Sequence, residues 1–218
     1  MTGAPIRLAF TTATLALATL VSACAPIIVG GAVVGGTLMA VDRRSSGTQV
    51  DDQAIELKAG SRIQEAIGKR GHINVTSYNR VALITGEVPT EADKAAVEAA
   101  IAKIDNVRST VNELAVTFSS SLTQRSNDTL ISTKVMATFV DAGDITTNAF
   151  KVVTERGNVY LMGRVTEAEA ARAVDLTSRI SGVQKVVRVF EVITPAELAT
   201  LQPTGAPTNN AKPASNKP

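Results

Sequence analysis

The chain repeats itself once, and the length of the repeat decides what it can fold into. Ile84-Thr85-Gly86-Glu87-Val88 is followed by Thr90-Glu91-Ala92 and later by Asn106-Val107. Leu161-Met162-Gly163-Arg164-Val165 is followed by Thr166-Glu167-Ala168 and later by Gly182-Val183. The offset is 77 residues from Gly86 to Gly163 and 76 from Val107 to Val183. Solenoid units repeat about every 20–50 residues, so this period marks a duplicated small domain. A unit of about 70 residues can bury a modest core of its own.

Both copies show the same periodicities. A helix opens each, over about 54–67 and 129–140. In copy one Ile73, Val75 and Ser77 alternate with polar residues, and 81–85 follows a turn at Asn79-Arg80. In copy two Phe150, Val152 and Thr154 alternate, and Arg156-Gly157-Asn158 turns into Val159-Tyr160-Leu161. Alternation followed by turn residues predicts a hairpin. A second helix follows, with an apolar stripe at Val97, Ala100, Ile101 and Ile104 in copy one and a Thr166/Glu169 capping box in copy two. Final strands are expected over 111–118 and 186–193. The order is α-β-β-α-β, twice: an α+β fold in which two helices cover one face of each three-stranded sheet.

The ends read differently. Arg7 precedes an uncharged apolar run from Leu8 to Val21, then Val21-Ser22-Ala23-Cys24. A short positive region, a run too short to span a bilayer and small residues before a cut site are the order of a secretory signal. The stretch resembles a lipobox, whose cysteine is diacylated and becomes the mature N-terminus. Ala25 rather than Asp at the next position implies the outer membrane in the usual sorting pattern. Residues 25–41 are apolar and glycine-rich. They are short for a spanning helix, and their four glycines weaken one, so we expect a segment near the membrane surface. The expected division is signal peptide 1–23, lipidated N-terminus and polar linker 24–47, domain one 48–118, linker 119–125, domain two 126–194 and a disordered tail 195–218. The tail is rich in Pro, Asn, Thr and Ala and cannot bury enough surface to offset its ordering.

Composition removes several functions. A net charge of +2, 3% aromatics and no Trp argue against nucleic-acid binding. One Cys and one His cannot make a Cys/His metal cluster or an internal disulfide. His72 sits at a strand start with no nucleophile at a recognisable spacing. Asp51-Asp52 reads as linker charge, and Glu91 to Asp93 as first-turn helix charge. No enzyme and no cofactor are expected.

The two opening helices differ. In copy one Ile55, Ala59, Ile63, Ala66 and Ile67 share a face, opposite Lys58, Ser61, Arg62, Gln64 and Glu65, with Leu57 among them. In copy two Ile131, Val135, Thr138 and Phe139 form the core face. Opposite lie Leu130, Thr133, Lys134, Met136, Ala137 and Val140, with Lys134 the only charge. So bare a face is expected to be covered. Either it meets an anionic membrane, with Lys134 reaching phosphate, or it packs on copy one. Asp141 and Asp144, just beyond, oppose anionic lipid.

The pattern resembles the BON domain: a strand ending Leu/Ile-x-Gly-x-Val, an Ala-rich helix, then Gly-Val-x-x-Val before the last strand. Copy two carries both motifs, at Leu161 to Val165 and Gly182 to Val186; copy one has Asn106 in place of the second glycine. Further stretches, Gly47 to Asp52, Ile73 to Thr76 and Ser126 to Thr129, are similar to dual-BON outer-membrane lipoproteins over about residues 20–194. The resemblance implies a non-enzymatic protein facing the periplasm. It implies binding of phosphatidylglycerol and cardiolipin through the second BON domain, support of envelope integrity and division-site processes, and association with the β-barrel assembly machinery. Together with the bare helix face it nominates Leu130, Thr133, Lys134, Met136, Ala137 and Val140 as the phospholipid site and Cys24 as the lipidated residue. The other reading is a periplasmic scaffold whose bare helix docks proteins of outer-membrane assembly or cell-wall enzymes.

Overall fold

The computed structural model describes residues 42–201. All lie in one compact unit of the chain, Ala40–Pro218. Cys24, residues 25–41 and residues 202–218 fall outside the described residues, and with them the expected signal, anchor and most of the tail.

Copy one is α1 (Ser46–Ile67), β1 (His72–Tyr78), β2 (Val81–Val88), α2 (Glu91–Ile101), β3 (Ser109–Asn112) and β4 (Ala115–Val116). Copy two is α3 (Leu122–Ala142), a single 3-10 turn at Thr147–Ala149, β5 (Phe150–Glu155), β6 (Asn158–Val165), α4 (Glu167–Ser178) and β7 (Lys185–Val192). A last helix, α5 (Pro195–Leu201), follows. β1 pairs antiparallel with β2, and β3 and β4 pair parallel with it. Copy two has the same sheet, β5-β6-β7, with an unbroken last strand.

Both opening helices begin well before the expected 54 and 129. Ser45 caps α1 by accepting from Thr48 N, and Ser121 with Gln124 forms a full capping box on α3. Most of the assigned linker 119–125 is therefore helix. Two further expectations are corrected. The last strand of copy one breaks at Glu113-Leu114, because Leu114 leaves the strand to enter the core under the helices. The first seven residues assigned to the tail are helical. Thr194 and Glu197 cap each other there, with Thr194 N donating to Glu197 Oε2 at 2.7 Å.

Each sheet is buried on both faces. Ile55, Ala59, Ala82, Ile84, Val97 and Ile101 fill the space between sheet one and its helices. Ile131, Val135, Phe139, Val159, Leu161 and Ala173 do so in copy two. The alternate residues of the central strands point the other way, and Tyr78, Leu83, Tyr160 and Met162 meet in a third core where the two sheets pack face to face. The body is thus four layers, helices outside and sheets inside.

The segment before α1 is no linker either. Arg43 is buried at 7% exposure and grips Glu169 of copy two at 2.6 and 2.9 Å, donating also to Arg164 O. Arg44 pairs with Asp42 and Asp52 and lies over the Tyr78 ring. Asn79 and Arg108 of copy one both reach Glu191 of copy two.

One edge of the sheet interface concentrates acid. Glu87 is fully buried, with one oxygen accepting from Ser120 N and the other lacking a hydrogen-bond partner. Glu155, 6% exposed, accepts from Asn74. Burial, and then the Glu87 and Asp128 carboxylates, push the Glu155 carboxyl above the ordinary glutamate range despite that bond. A carboxyl whose folded pKa exceeds its unfolded one costs stability at neutral pH, and the cost fades as pH falls through that window. Glu155→Gln is therefore expected to raise stability in urea unfolding at pH 7. The gain should vanish below about pH 4.3, the unfolded glutamate value. Equal midpoints at pH 7 would refute the assignment.

Candidate functional site

The candidate site is built on α3. Asp128, in its second turn, is buried and accepts from Arg156 N at 2.9 Å and Gly157 N at 2.8 Å. This bond pair ties the helix to the β5–β6 turn. Asp52 does the same in copy one, accepting from Asn79 N, Arg80 N and Ser77 Oγ. The expectation of linker charge at Asp51-Asp52 is corrected: Asp52 is a 2%-exposed clamp, and Asp51 pairs with Arg80. Glu91 and Asp93 do lie in the first turn of α2, as expected. His72 opens the edge strand β1. Burial, then the Arg125 charge, lower its pKa.

Ile131, Val135 and Phe139 point into the core. Of the nominated residues, Leu130, Thr133, Lys134, Ala137 and Val140 are exposed and Met136 is half-buried. Leu130 is 58% and Val140 65% exposed. Copy one does not cover this face, because the two copies meet through their sheets. The packing alternative is thereby overturned.

The bare face is longer than its sequence pattern over 129–140 implies. At 100° per residue Leu122, Ser126, Thr129, Thr133 and Val140 fall on one line, with Leu130 and Ala137 beside it. From Leu122 to Val140 this is about 27 Å. The hydroxyls of Ser126, Thr129 and Thr133 each donate to the carbonyl four residues back, at 2.9–3.0 Å. Their hydrogen bonds are met within the helix, so the threonines can present methyl groups outward. Leu122 escapes a sequence reading that makes 119–125 a linker. The signal is present in Ser121-Leu122-Thr123-Gln124, a capping-box spacing.

Charge on the flank is uneven. Lys134 forms no salt bridge among the described residues. Asp144 is paired with Arg172 at 3.0 Å, which removes much of its expected repulsion, while Asp141 is exposed. Beside Lys134 lies a cavity of about 620 Å³ between α3, the β5–β6 turn and the α4–β7 turn. No cluster of His, Cys, Asp and Glu among the described residues suits a metal, and none of the described helices is long and apolar enough to cross a membrane.

The BON domain profile matches residues 51–117 and 127–194, the two copies of the duplication. The chain belongs to the BON-domain family. This BON protein is 34% identical over 172 residues to the outer membrane lipoprotein DolP of Haemophilus influenzae, covering 78% of this chain and 89% of that one. It is 29% identical over 155 residues to the 21 kDa hemolysin of Actinobacillus pleuropneumoniae, covering 70% of this chain and 80% of that one. The C-terminal domain of CdsD, a structural protein of the Chlamydia trachomatis type III secretion system, aligns with TM-score 0.27 and 11% identity over 62% of this chain and 96% of that one. So slight a likeness bears no argument.

The BON motifs acquire physical reasons. In Ile/Leu-x-Gly-x-Val, a Cβ on Gly86 would lie 2.0 Å from His72 O, and one on Gly163 2.4 Å from Ala149 O. Only glycine lets the neighbouring backbone approach so closely. Gly182 has φ +100°, and Asn106 holds φ +68° at the equivalent place. Asparagine is the residue that best tolerates this region after glycine, so copy one departs from the motif without departing from the fold.

Proposed function

We propose that this BON protein is an outer-membrane lipoprotein, anchored through lipid on Cys24 and facing the periplasm. In this reading its second BON domain lays α3 on anionic phospholipid and supports envelope integrity without catalysing a reaction. The observation that carries the reading is the α3 stripe. It stays uncovered when the rest of the body has packed, and Lys134 on its flank lacks a counter-ion among the described residues. The similarity to an outer membrane lipoprotein supports the location.

Magnitudes set the division of labour. One lysine near an anionic surface contributes about 1 kcal/mol. Fully burying a leucine or valine contributes about 1.5–3 kcal/mol, so apolar contact leads and charge selects. The anchor raises the local concentration enough for a weak second contact to act. A lipidated Cys24 suffices for attachment, so the α3 contact decides in which lipid neighbourhood the tethered body settles.

The soluble body Ala40–Pro218 carries all three cores, so it tests the reading free of the anchor. In flotation with mixed phosphatidylcholine–phosphatidylglycerol vesicles, Leu130→Glu is expected to lower binding at least about tenfold, the equivalent of 1.4 kcal/mol. Leu57→Glu should leave it unchanged, since Leu57, although 81% exposed, sits among charged residues of α1. No flotation of the unaltered body at any anionic content would sink the proposal and leave α3 as a protein-docking face.

A further inference from the structure

The duplication supplies an internal control for the cavity beside Lys134. Equivalent bonds frame the same place in both copies. Asp52 and Asp128 hold the hairpin turns. Arg108 N donates to Arg80 O, and Gln184 N to Gly157 O, each at 2.8 Å. These bonds pair Arg80 with Gly157, Asn106 with Gly182 and Lys58 with Lys134.

In copy one the place is filled and neutralised. Lys58 pairs with Asp105 at 2.9 Å, and Arg80 pairs with Asp51 at 2.6 Å. Asn106 Nδ2 donates to the other oxygen of Asp51. In copy two the residues standing for Asp105, Asp51, Arg80 and Asn106 are Ser181, Asn127, Gly157 and Gly182. Two carboxylates and two bulky side chains are gone, and the lysine is kept. The result is the open cavity of about 620 Å³, lined by Lys134, Leu130, Asn127, Ser181 and Gly182 among others. That volume is in the range of small-ligand sites, about 300–1,000 Å³.

The remaining charges near it are committed elsewhere. The Asp128 carboxylate faces two backbone N–H groups. The Arg156 guanidinium lies 3.7 Å from the buried Glu87 carboxylate. Lys134 is left as the one cation of the cavity with no counter-charge among the described residues. Leu130 belongs both to the cavity lining and to the α3 stripe.

We propose that this cavity seats the phosphodiester headgroup of an anionic phospholipid whose acyl chains lie along α3. The inference rests on the membrane reading above and adds the headgroup site to it. The ligand phosphate replaces the carboxylate that Asp105 supplies in copy one. A zwitterionic headgroup is disfavoured, because its ammonium meets Lys134 and no free carboxylate remains to receive it.

The test restores the chemistry of copy one. Ser181→Asp in the soluble body places a carboxylate where Asp105 pairs with Lys58. Ser181 is exposed, so an unchanged unfolding midpoint will certify the fold. Binding to phosphatidylcholine–phosphatidylglycerol vesicles is expected to fall roughly thirtyfold. The new carboxylate neutralises Lys134 and also repels the lipid phosphate, at about 1 kcal/mol each. Residual binding to pure phosphatidylcholine should not change. In NMR titrations with short-chain phosphatidylglycerol, the Gly157 and Gly182 amides should shift together with those of α3.

Unchanged vesicle binding in Ser181→Asp, or shifts confined to α3 with Gly157 and Gly182 silent, overturns the headgroup site and leaves the membrane reading standing. Equal shifts of Gly157 and Gly182 with glycerol phosphate alone overturn the lipid assignment in favour of a soluble-anion site. Failure of the unaltered body to float overturns both.

Discussion

Gly86→Ala is expected to cost about 4 kcal/mol, most of the stability margin of an ordinary domain at the low end of about 5–15 kcal/mol. Two penalties add. Gly86 holds φ +113°, a region that costs a residue with a Cβ about 1–2 kcal/mol. The new Cβ would also stand 2.0 Å from His72 O, a backbone atom in the paired strand β1 that cannot swing aside. Forcing the strands apart there is an overpacking cost of about 1–3 kcal/mol. At about 2–4 °C per kcal/mol for a body of this size, the thermal midpoint should drop by about 8–16 °C. Gly163→Ala meets Ala149 O at 2.4 Å without the positive φ, so its loss should be smaller. A midpoint of Gly86→Ala indistinguishable from the parent's would show that β1 can yield and that the motif glycine has another cause.

Asp52→Ala is the second large loss, about 4 kcal/mol by the cost of unpaired buried groups. Its carboxylate accepts from Ser77 Oγ, Asn79 N, Arg80 N and Arg44 Nη1 at 2.7–2.8 Å. Asn79 and Arg80 both hold positive φ, at 52° and 64°, the conformation of a tight primed hairpin turn. The clamp offsets the strain of two non-glycine residues there. Without it two turn amides and a buried hydroxyl lose their acceptor, at about 1–3 kcal/mol for each group that stays dry. Arg44 would keep Asp42 alone as its ion-pair partner. Asp128→Ala removes two bonds rather than four, from a turn that includes Gly157, so about half the loss is expected. Urea unfolding of the two variants side by side checks this. An Asp52→Ala loss no larger than that of Asp128→Ala would refute the clamp.

The periodicity of the chain carried the helices and their inward faces. Ile55, Ala59, Ile131, Val135 and Phe139 are buried where a 3.6-residue period puts them. The hairpins and their turns were equally visible, since Asn79-Arg80 and Arg156-Gly157 announce turns by residue type. The outward residues of α3 were also readable, because a surface helix with one charge in three turns departs from the ordinary pattern.

What escaped were relations between distant residues. Val81 to Ile84 and Val159 to Met162 are continuous apolar runs, and such a run states that both faces are covered without saying by what. That the second face meets the other sheet follows from the assembled body, where Tyr78, Leu83, Tyr160 and Met162 come together. Asp52 reads as solvated charge because the turn groups it holds lie 25 to 28 residues onward. Arg43 looked like linker because its partner Glu169 lies 126 residues away.

By itself the sequence determined two duplicated α+β units, the inner face of each helix, and the preference for glycine where strands crowd. These are local matters of period and backbone freedom. The tertiary structure decided which faces remain open. By joining the copies sheet to sheet it covered both strand layers and left α3 with Lys134 facing outward. Exposure is a property of the packed body, so no local pattern could assign it.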